Sequence, residues 1–324
     1  MIQIDFMKRI LHLFLLLMAG LAGTAHASFA YITNQGSNSV SVIDTARDQV
    51  VATIAVGKGP VGIAVSAGQQ RAYVSNVDSQ SISVIDTQHN RVVREFALGG
   101  SPVGLALSPD GKDLYVTDWF SNRVVAVDTA SGEQRYSIAT GEAPAGLLTS
   151  RDGRFLYIAN RDSNDIAVVD LHERKVARHI AVGKHPFGIV LNPQGTLLYA
   201  VNVYANSVSV IDTNTNAVTA TVGVGDHPYC VAVGRDGSRV YVTNTQGDSV
   251  AVIDAHSNKV IATIAVGSVP EGIAFDAGTN KIYVASWGDN AVSVIDAASN
   301  KLASSIATGS QSRAFGQFIA QASH

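Results

Sequence analysis

Four side chains of contrasting chemistry occupy one position of a regular series late in the chain. They are spaced 42 residues apart, at Phe187, Tyr229, Glu271 and Arg313. The first three directly follow a proline, and the earlier members of the series are small aliphatic residues, namely Val61, Val103 and Ala145. Aromatic rings supply contact area and charged groups orient a ligand, as small-molecule pockets require. We therefore predict that these four residues contact a ligand.

Two histidines stand next to this series, His185 before Pro186 and His227 before Pro228. With Glu271 they would provide two imidazoles and a carboxylate, a plausible ligand set for zinc or another transition metal. Nothing in the sequence sets the distances between the three groups, and a His-Pro pair can equally be turn chemistry. We add both histidines to the predicted ligand-binding residues and assign no catalytic residue, metal ligand or cofactor.

The two tryptophans, Trp119 and Trp287, also share one position of the series. They lie in a polar segment between two strand-like runs, which we expect on the same face as the prolines. Their rings could stack on a ligand or on the bases of a nucleic acid, so we place both in the predicted ligand site. They could instead cover neighbouring loops, and Glu271 and Arg313 could form a structural ion pair.

A repeat of 42 residues positions all of these side chains. Its opening tyrosine recurs seven times, at Tyr31, Tyr73, Tyr115, Tyr157, Tyr199, Tyr241 and Tyr283. Each unit holds four short runs rich in Val, Ile, Thr and Tyr, separated by Gly, Asn, Asp and Pro, which indicates strands and turns. Four strands in a repeat of this length are typical of a propeller blade. The sequence predicts an all-β, seven-bladed β-propeller with four-stranded blades of 42 residues.

The first repeat unit lacks one strand, and the segment after the last unit has one strand too many. The array begins at Phe29-Ala30-Tyr31, the second run of a unit, with no first run before it. It ends with a strand-like segment, residues 314–320, that has no partner in its own unit. We expect this C-terminal strand to supply the missing innermost strand of the first blade, which closes the ring and leaves no free sheet edge.

Residues 1–27 have the features of a cleavable secretory signal peptide. Lys8 and Arg9 precede a Leu-rich run from Ile10 to Met18, and Ala25-His26-Ala27 forms the cleavage site. The apolar run is short for a membrane span, and no cysteine follows the cleavage site to carry a lipid. We therefore predict a periplasmic or secreted protein in which residues 28–324 form the propeller, with no membrane span after the signal is removed.

The composition and net charge of the chain indicate which classes of partner it can attract. The chain is 46% hydrophobic and 15% charged, which suits a packed globular body. Its net charge of −3 argues against strong attraction to nucleic acid or anionic membranes. The single cysteine, Cys230, stands where other repeats carry Gly62, Gly104, Gly146, Gly188 and Gly272. We interpret it as a small packing residue and not as a reactive thiol, and we expect a monomer.

The segments Tyr31-Ile32-Thr33-Asn34 and Tyr241-Val242-Thr243-Asn244, each followed by a Ser-Val-x-Val-Ile-Asp run, resemble the YVTN-type β-propeller repeat family. The resemblance covers nearly all of residues 28–324. It implies an exported propeller of bacterial or archaeal type, similar to periplasmic and surface-associated binding proteins.

We interpret the chain as a non-catalytic binding protein that uses the face carrying the prolines for a small molecule or a protein partner. One alternative is a metal-assisted lactonase or lyase with its site at the channel mouth. A second is a protein that binds a nucleic acid or another polymer by stacking it on Trp119 and Trp287. The net negative charge of the chain makes nucleic acid an unfavourable partner.

Overall fold

The computed structural model describes residues 28–66 and 68–319. They form seven blades of antiparallel strands whose innermost strands contact one another in cyclic order. The predicted seven-bladed β-propeller is therefore confirmed. The predicted signal peptide, residues 1–27, lies outside the described residues. Within the described part of the chain, no helix is both long and apolar enough to cross a membrane.

The blades follow one another along the chain. Blade I contains β1 (Phe29–Asn34), β2 (Ser39–Asp44) and β3 (Gln49–Ala55); blade II contains β4 (Pro60–Ser66), β5 (Arg71–Asn76), β6 (Ser81–Asp86) and β7 (Arg91–Ala97). Blade III contains β8 (Pro102–Leu107), β9 (Asp113–Asp118), β10 (Arg123–Asp128) and β11 (Gln134–Ala139); blade IV contains β12 (Pro144–Thr149), β13 (Phe155–Asn160), β14 (Asp165–Asp170) and β15 (Lys175–Ala181). Blade V contains β16 (Pro186–Leu191), β17 (Leu197–Asn202), β18 (Ser207–Asp212) and β19 (Ala217–Gly223); blade VI contains β20 (Pro228–Val233), β21 (Arg239–Asn244), β22 (Ser249–Asp254) and β23 (Lys259–Ala265). Blade VII contains β24 (Pro270–Asp276), β25 (Lys281–Ser286), β26 (Ala291–Asp296) and β27 (Lys301–Ala307), and the short strand β28 (Phe315–Gln317) follows it. Two 3-10 turns, Gln35–Ser37 and Val203–Ala205, lie between second and third strands.

Burial explains why the middle strands lack strict apolar–polar alternation. Strands such as β2 and β6 are buried along their whole length, because a neighbouring blade covers each face of the sheet. Outer strands such as β3 expose most of their residues. The seven repeat tyrosines lie between the blades and are at most 3% exposed.

The C-terminal segment closes the ring, as predicted, and it forms β-bridges with blade I and pairs with a strand of blade II. It lies beside β1 in blade I, with bridges between Ser312 and Asn34 and between Ile319 and Ala30. Between these bridges, positive φ angles of 50° at Ala314 and 114° at Gly316 turn the chain away. Here β28 pairs in parallel with β4 of blade II. The seam of the ring is therefore held on both sides.

Close contact between innermost strands explains the repeated glycines. A Cβ atom on Gly62 would lie 2.0 Å from the carbonyl oxygen of Val103 in the next blade. Cys230 occupies the corresponding position in blade VI, is 6% exposed, and donates its N–H to the Thr243 hydroxyl at 2.9 Å. Burial raises the pKa of its thiol, so the residue does not form a reactive thiolate at neutral pH.

Candidate functional site

The face of the propeller that carries the linking prolines, which we call the proline face, also carries the loops between second and third strands. Backbone hydrogen bonds join the two sets: Trp119 N–H donates to Ser101 O at 3.0 Å, and Val203 N–H donates to His185 O at 3.0 Å. The prediction that these loops open on the same face as the prolines is therefore confirmed.

Neighbouring blades hold His185 and His227 in place through their backbones. Each has a left-handed conformation, with φ of 55° and 49°. Their N–H groups donate to the side-chain oxygens of Asn164 and Asn206 in the preceding blades, at 2.9 and 3.0 Å. Ala143 and Val269 adopt the same conformation at equivalent positions, so the backbone geometry belongs to the repeat and not to the histidines.

The structure brings Phe187, Tyr229, Glu271 and Arg313 together. Phe187 contacts Tyr229, Tyr229 contacts Arg313, and Arg313 contacts Glu271. Arg313 donates to both carboxylate oxygens of Glu271, Nε to Oε2 at 2.5 Å and Nη2 to Oε1 at 2.9 Å, and donates to the Tyr229 hydroxyl at 3.3 Å. The Phe187 ring stacks on Tyr229 with centroids 4.2 Å apart, and Phe315 packs beside it at 4.8 Å.

This cluster closes the channel at the proline face. Phe187 and Glu271 are 6% and 7% exposed, and Val61, Val103 and Ala145 of the same series are equally buried. Burial raises the pKa of the Glu271 carboxyl, while the adjoining Arg313 guanidinium opposes that shift. Burial also raises the pKa of the Tyr229 phenol. The polar groups satisfy one another, so the four residues form a plug across the channel.

Outside the plug, aromatic and cationic side chains form a continuous surface across blades III to VI. Arg161 lies over the rings of both Trp119 and Tyr204, 5.8 Å from each centroid. Tyr204 stacks on His185 at 4.2 Å and meets the His227 ring edge-on at 5.4 Å. Phe120 stands next to Trp119 and is 82% exposed. We call Trp119, Phe120, Arg161, His185, Tyr204 and His227 the aromatic patch.

The structure does not bring His185, His227 and Glu271 together as the ligands of one metal ion. Glu271 is bound to Arg313, Tyr204 contacts both imidazole rings, and His227 Nδ1 lies 2.8 Å from Asp226 Oδ1. Within residues 28–66 and 68–319, no three His, Cys, Asp or Glu side chains are grouped so that they could hold a metal ion.

Trp119 and Trp287 lie in equivalent loops, and among the ring contacts of the described residues Trp119 meets another predicted residue whereas Trp287 has none. Its ring lies 6.0 Å from that of Phe187. Phe120 and Tyr204 lie one position further along and were not among the predicted residues. There the seven repeats carry Gly36, Asp78, Phe120, Asp162, Tyr204, Gln246 and Gly288. The repeat is therefore broken at this position too, and that break is the sequence signal that marks both residues.

Several solved structures have the same architecture. Hydrazine synthase from Kuenenia stuttgartiensis superposes with a TM-score of 0.74 at 24% identity, covering 82% of this chain and 91% of that chain. A functionally unknown protein from Desulfotomaculum acetoxidans DSM 771 has a TM-score of 0.80 at 18% identity, with coverage of 91% and 99%. Dihydro-heme d1 dehydrogenase NirN in complex with DHE has a TM-score of 0.66 at 17% identity, with coverage of 88% and 64%. At these identities the likeness shows the fold alone.

Sequence comparison adds family-level information. The PE-PGRS family protein PE_PGRS18 of Mycobacterium tuberculosis (strain ATCC 25618 / H37Rv) is 58% identical over 36 residues, which is 11% of this chain and 8% of that protein. Residues 105–221 match the family described as lactonase, 7-bladed beta-propeller. The resemblance to propeller repeat proteins is confirmed, whereas the finer assignment to YVTN-type repeats stays a prediction. A second family model, described as YNCE-like beta-propeller, matches residues 16–150 and 191–278, which is more than half of the chain. The chain therefore belongs to the YNCE-like β-propeller family.

Proposed function

We propose that this propeller is a binding protein whose aromatic patch docks a protein partner. The observation that carries the proposal is the exposure of Phe120 and Tyr204, 82% and 54%, beside Arg161 and Trp119 on the proline face. Exposed apolar patches on soluble proteins mark interaction sites. Trp, Tyr and Arg are the residue types that dominate binding energy at protein interfaces.

A protein partner suits this surface better than a small molecule does. The patch lies outside the plug on the proline face, and its Phe120 and Tyr204 side chains are open to solvent. Its loops are anchored by hydrogen bonds between the blades, as at His185 and Asn164. A rigid, exposed patch loses little conformational entropy on association, which favours affinity.

Site-specific photo-crosslinking in cells that produce the protein tests this function. A benzophenone amino acid placed at position 120 should yield one protein conjugate, identified by mass spectrometry. The same label at Lys112, exposed in the same blade on the opposite face, should yield none. Replacing Arg161 and Tyr204 together by alanine should reduce the conjugate at least tenfold, because interface hot spots cost about 2 kcal/mol or more each.

Four outcomes would change this assignment. An equal conjugate from position 112, or one that survives the double substitution, would place the interface elsewhere. A conjugate that disappears on nuclease treatment would assign the patch to nucleic acid, in keeping with base stacking on Trp119. Absence of any conjugate from position 120 would remove the protein-partner proposal.

Export forms part of the proposal. The basic start at Lys8 and Arg9, the apolar run and the Ala25-His26-Ala27 site support cleavage after Ala27 and a periplasmic or secreted location. The intact mass of the protein isolated from its natural producer should correspond to residues 28–324. A mature form that still contains Ile10 to Met18 would contradict it.

Lactone hydrolysis is a second candidate, and the observation that favours it is the match of residues 105–221 to the lactonase family. The purified protein should then release acid from a simple lactone, with and without added divalent metal ions. A protein with no hydrolysis above the spontaneous rate under either condition is not a lactonase for that substrate class.

A further inference from the structure

The channel contains a cavity of about 540 Å³ on the side of the plug away from the aromatic patch. Its walls come from the second halves of the innermost strands and from the turns that follow them, and Phe315 forms part of its boundary. The cavity therefore approaches the face opposite the proline face. Small-molecule sites in proteins commonly occupy about 300–1,000 Å³, so this space is of ligand size.

Apolar groups form most of the wall. Leu105, Leu147, Ile189, Val231, Ile273 and Phe315 all border the cavity. Three uncharged polar side chains also border the cavity, those of Thr149, Asn192 and Gln317. The Thr149 hydroxyl donates to Leu107 O at 3.0 Å, the Asn192 amide bonds within its own turn, and Gln317 is exposed. An apolar ligand would therefore displace water from the space without leaving Thr149 or Asn192 unsatisfied, and the exposed Gln317 can keep its contact with solvent.

Two arginines supply the positive charge. Arg151 and Arg235 border the cavity from the turns after β12 and β20, and both are exposed. At the same turn position the other described blades carry Pro109, Pro193 and Ala277, so both arginines depart from the repeat. Neither forms an ion pair or a side-chain hydrogen bond that occupies its guanidinium within the described part of the chain.

The neighbouring carboxylates form no ion pair with these arginines. Asp152 follows Arg151, but its Oδ1 accepts from the Ser150 hydroxyl at 2.5 Å and from Arg154 N–H at 3.0 Å. Asp236 likewise accepts from Ser238, N–H at 2.9 Å and hydroxyl at 2.7 Å. Among the described residues, no Asp or Glu side chain borders the cavity, and the charged side chains in its wall are those of the two arginines.

We infer that this cavity binds an amphiphilic anion, a molecule with an apolar chain and a terminal carboxylate. The chain would occupy the apolar part of the cavity and the carboxylate would meet Arg151 and Arg235 at its mouth. The planar guanidinium fork matches carboxylate geometry and can donate two hydrogen bonds to it. This site lies at the other end of the channel from the aromatic patch and does not depend on the protein partner.

Isothermal titration calorimetry with the full chain tests the inference, with decanoate as the probe. Decanoate should bind at least tenfold more tightly than 1-decanol, which has the same chain without the charge, and acetate should give no measurable binding. From hexanoate to decanoate the affinity should rise by roughly threefold to fourfold for each methylene, as expected for transfer of an apolar chain from water.

The double substitution Arg151→Gln and Arg235→Gln should weaken decanoate binding at least tenfold and leave 1-decanol binding unchanged. Arg178→Gln is the matched control, because Arg178 is exposed on the outer strand β15 and lies far from the cavity wall. Unchanged circular dichroism and melting temperature would show that the variants fold. Equal affinity for decanoate and decanol, unchanged decanoate binding by the double variant, or no decanoate binding at all would overturn the inference.

Discussion

Arg313 in the C-terminal segment and Glu271 in blade VII form a two-point ion pair across the seam where the ring closes. Nε and Nη2 of Arg313 lie 2.5 and 2.9 Å from the two carboxylate oxygens, and Nη1 also donates to Gln35 Oε1 of blade I at 3.0 Å. Arg313 therefore ties the last blade to the first. The chemical break in the repeat at these positions has a structural role, whatever ligand the protein binds.

Replacing Glu271 by alanine should destabilise the propeller by about 3 kcal/mol, because it leaves the Arg313 guanidinium, whose side chain is only 20% exposed, without its counter-charge. Urea unfolding at pH 7 measures the change. Glu173→Ala is the control, since Glu173 pairs with Lys175 on the surface, where both side chains are more than half exposed; the unfolding midpoint should not move. A Glu271→Ala midpoint equal to that of the wild type would show that the pair contributes nothing to closure.

The repeat made the architecture predictable, because its period determines where each strand and loop recurs. It also identified the positions where Phe187, Tyr229, Glu271 and Arg313 meet. It did not reveal that they bond to one another, because side-chain distances across the channel depend on how far the blades approach. The parallel pairing of β28 with β4 was also hidden, since it depends on positive φ angles at Ala314 and Gly316.

The repeat tyrosines differ in their hydroxyl partners, and this difference predicts unequal effects of removing the hydroxyl. Tyr283 donates to Thr45 O at 3.0 Å and to Asp48 Oδ1 at 2.7 Å, whereas no described residue is within hydrogen-bonding reach of the Tyr199 hydroxyl. Tyr283→Phe should therefore cost about 1–2 kcal/mol of unfolding free energy. Tyr199→Phe, the matched control, should change it by less than about 0.5 kcal/mol. Equal losses at both positions would contradict the role of these hydrogen bonds.

The same tyrosines predict alkaline sensitivity. Burial raises the pKa of all seven phenols above the ordinary value of 10.0, to about 12 at Tyr31. Between pH 10 and 12 the folded state keeps phenolic protons that the unfolded state releases, so the folded state binds more protons and rising pH lowers its stability. Below pH 10 both states are protonated and this contribution is constant.

Melting temperatures recorded from pH 9 to pH 12 should therefore be level at first and fall above pH 10. Tyrosinate absorbance should rise for the buried phenols only at higher pH, or together with loss of the native circular dichroism. Full ionisation of all tyrosines near pH 10 in a protein that keeps its native spectrum would contradict this account.

Closure of the ring rests on a phenylalanine that can be compared with an exposed one. Phe318 is fully buried beside blade I, and its carbonyl oxygen accepts from Tyr31 N–H at 2.9 Å, whereas Phe120 is 82% exposed. Phe318→Ala should lower the unfolding free energy by about 3–5 kcal/mol, through lost burial and the cavity left behind. Phe120→Ala should change it by less than about 0.5 kcal/mol, because the side chain is exposed. Deleting residues 314–324 should go further and expose the edges of β1 and β4, so that size-exclusion chromatography shows association. A truncated chain that stays monomeric and melts like the wild type would mean that blades VII and I close the ring without the C-terminal segment.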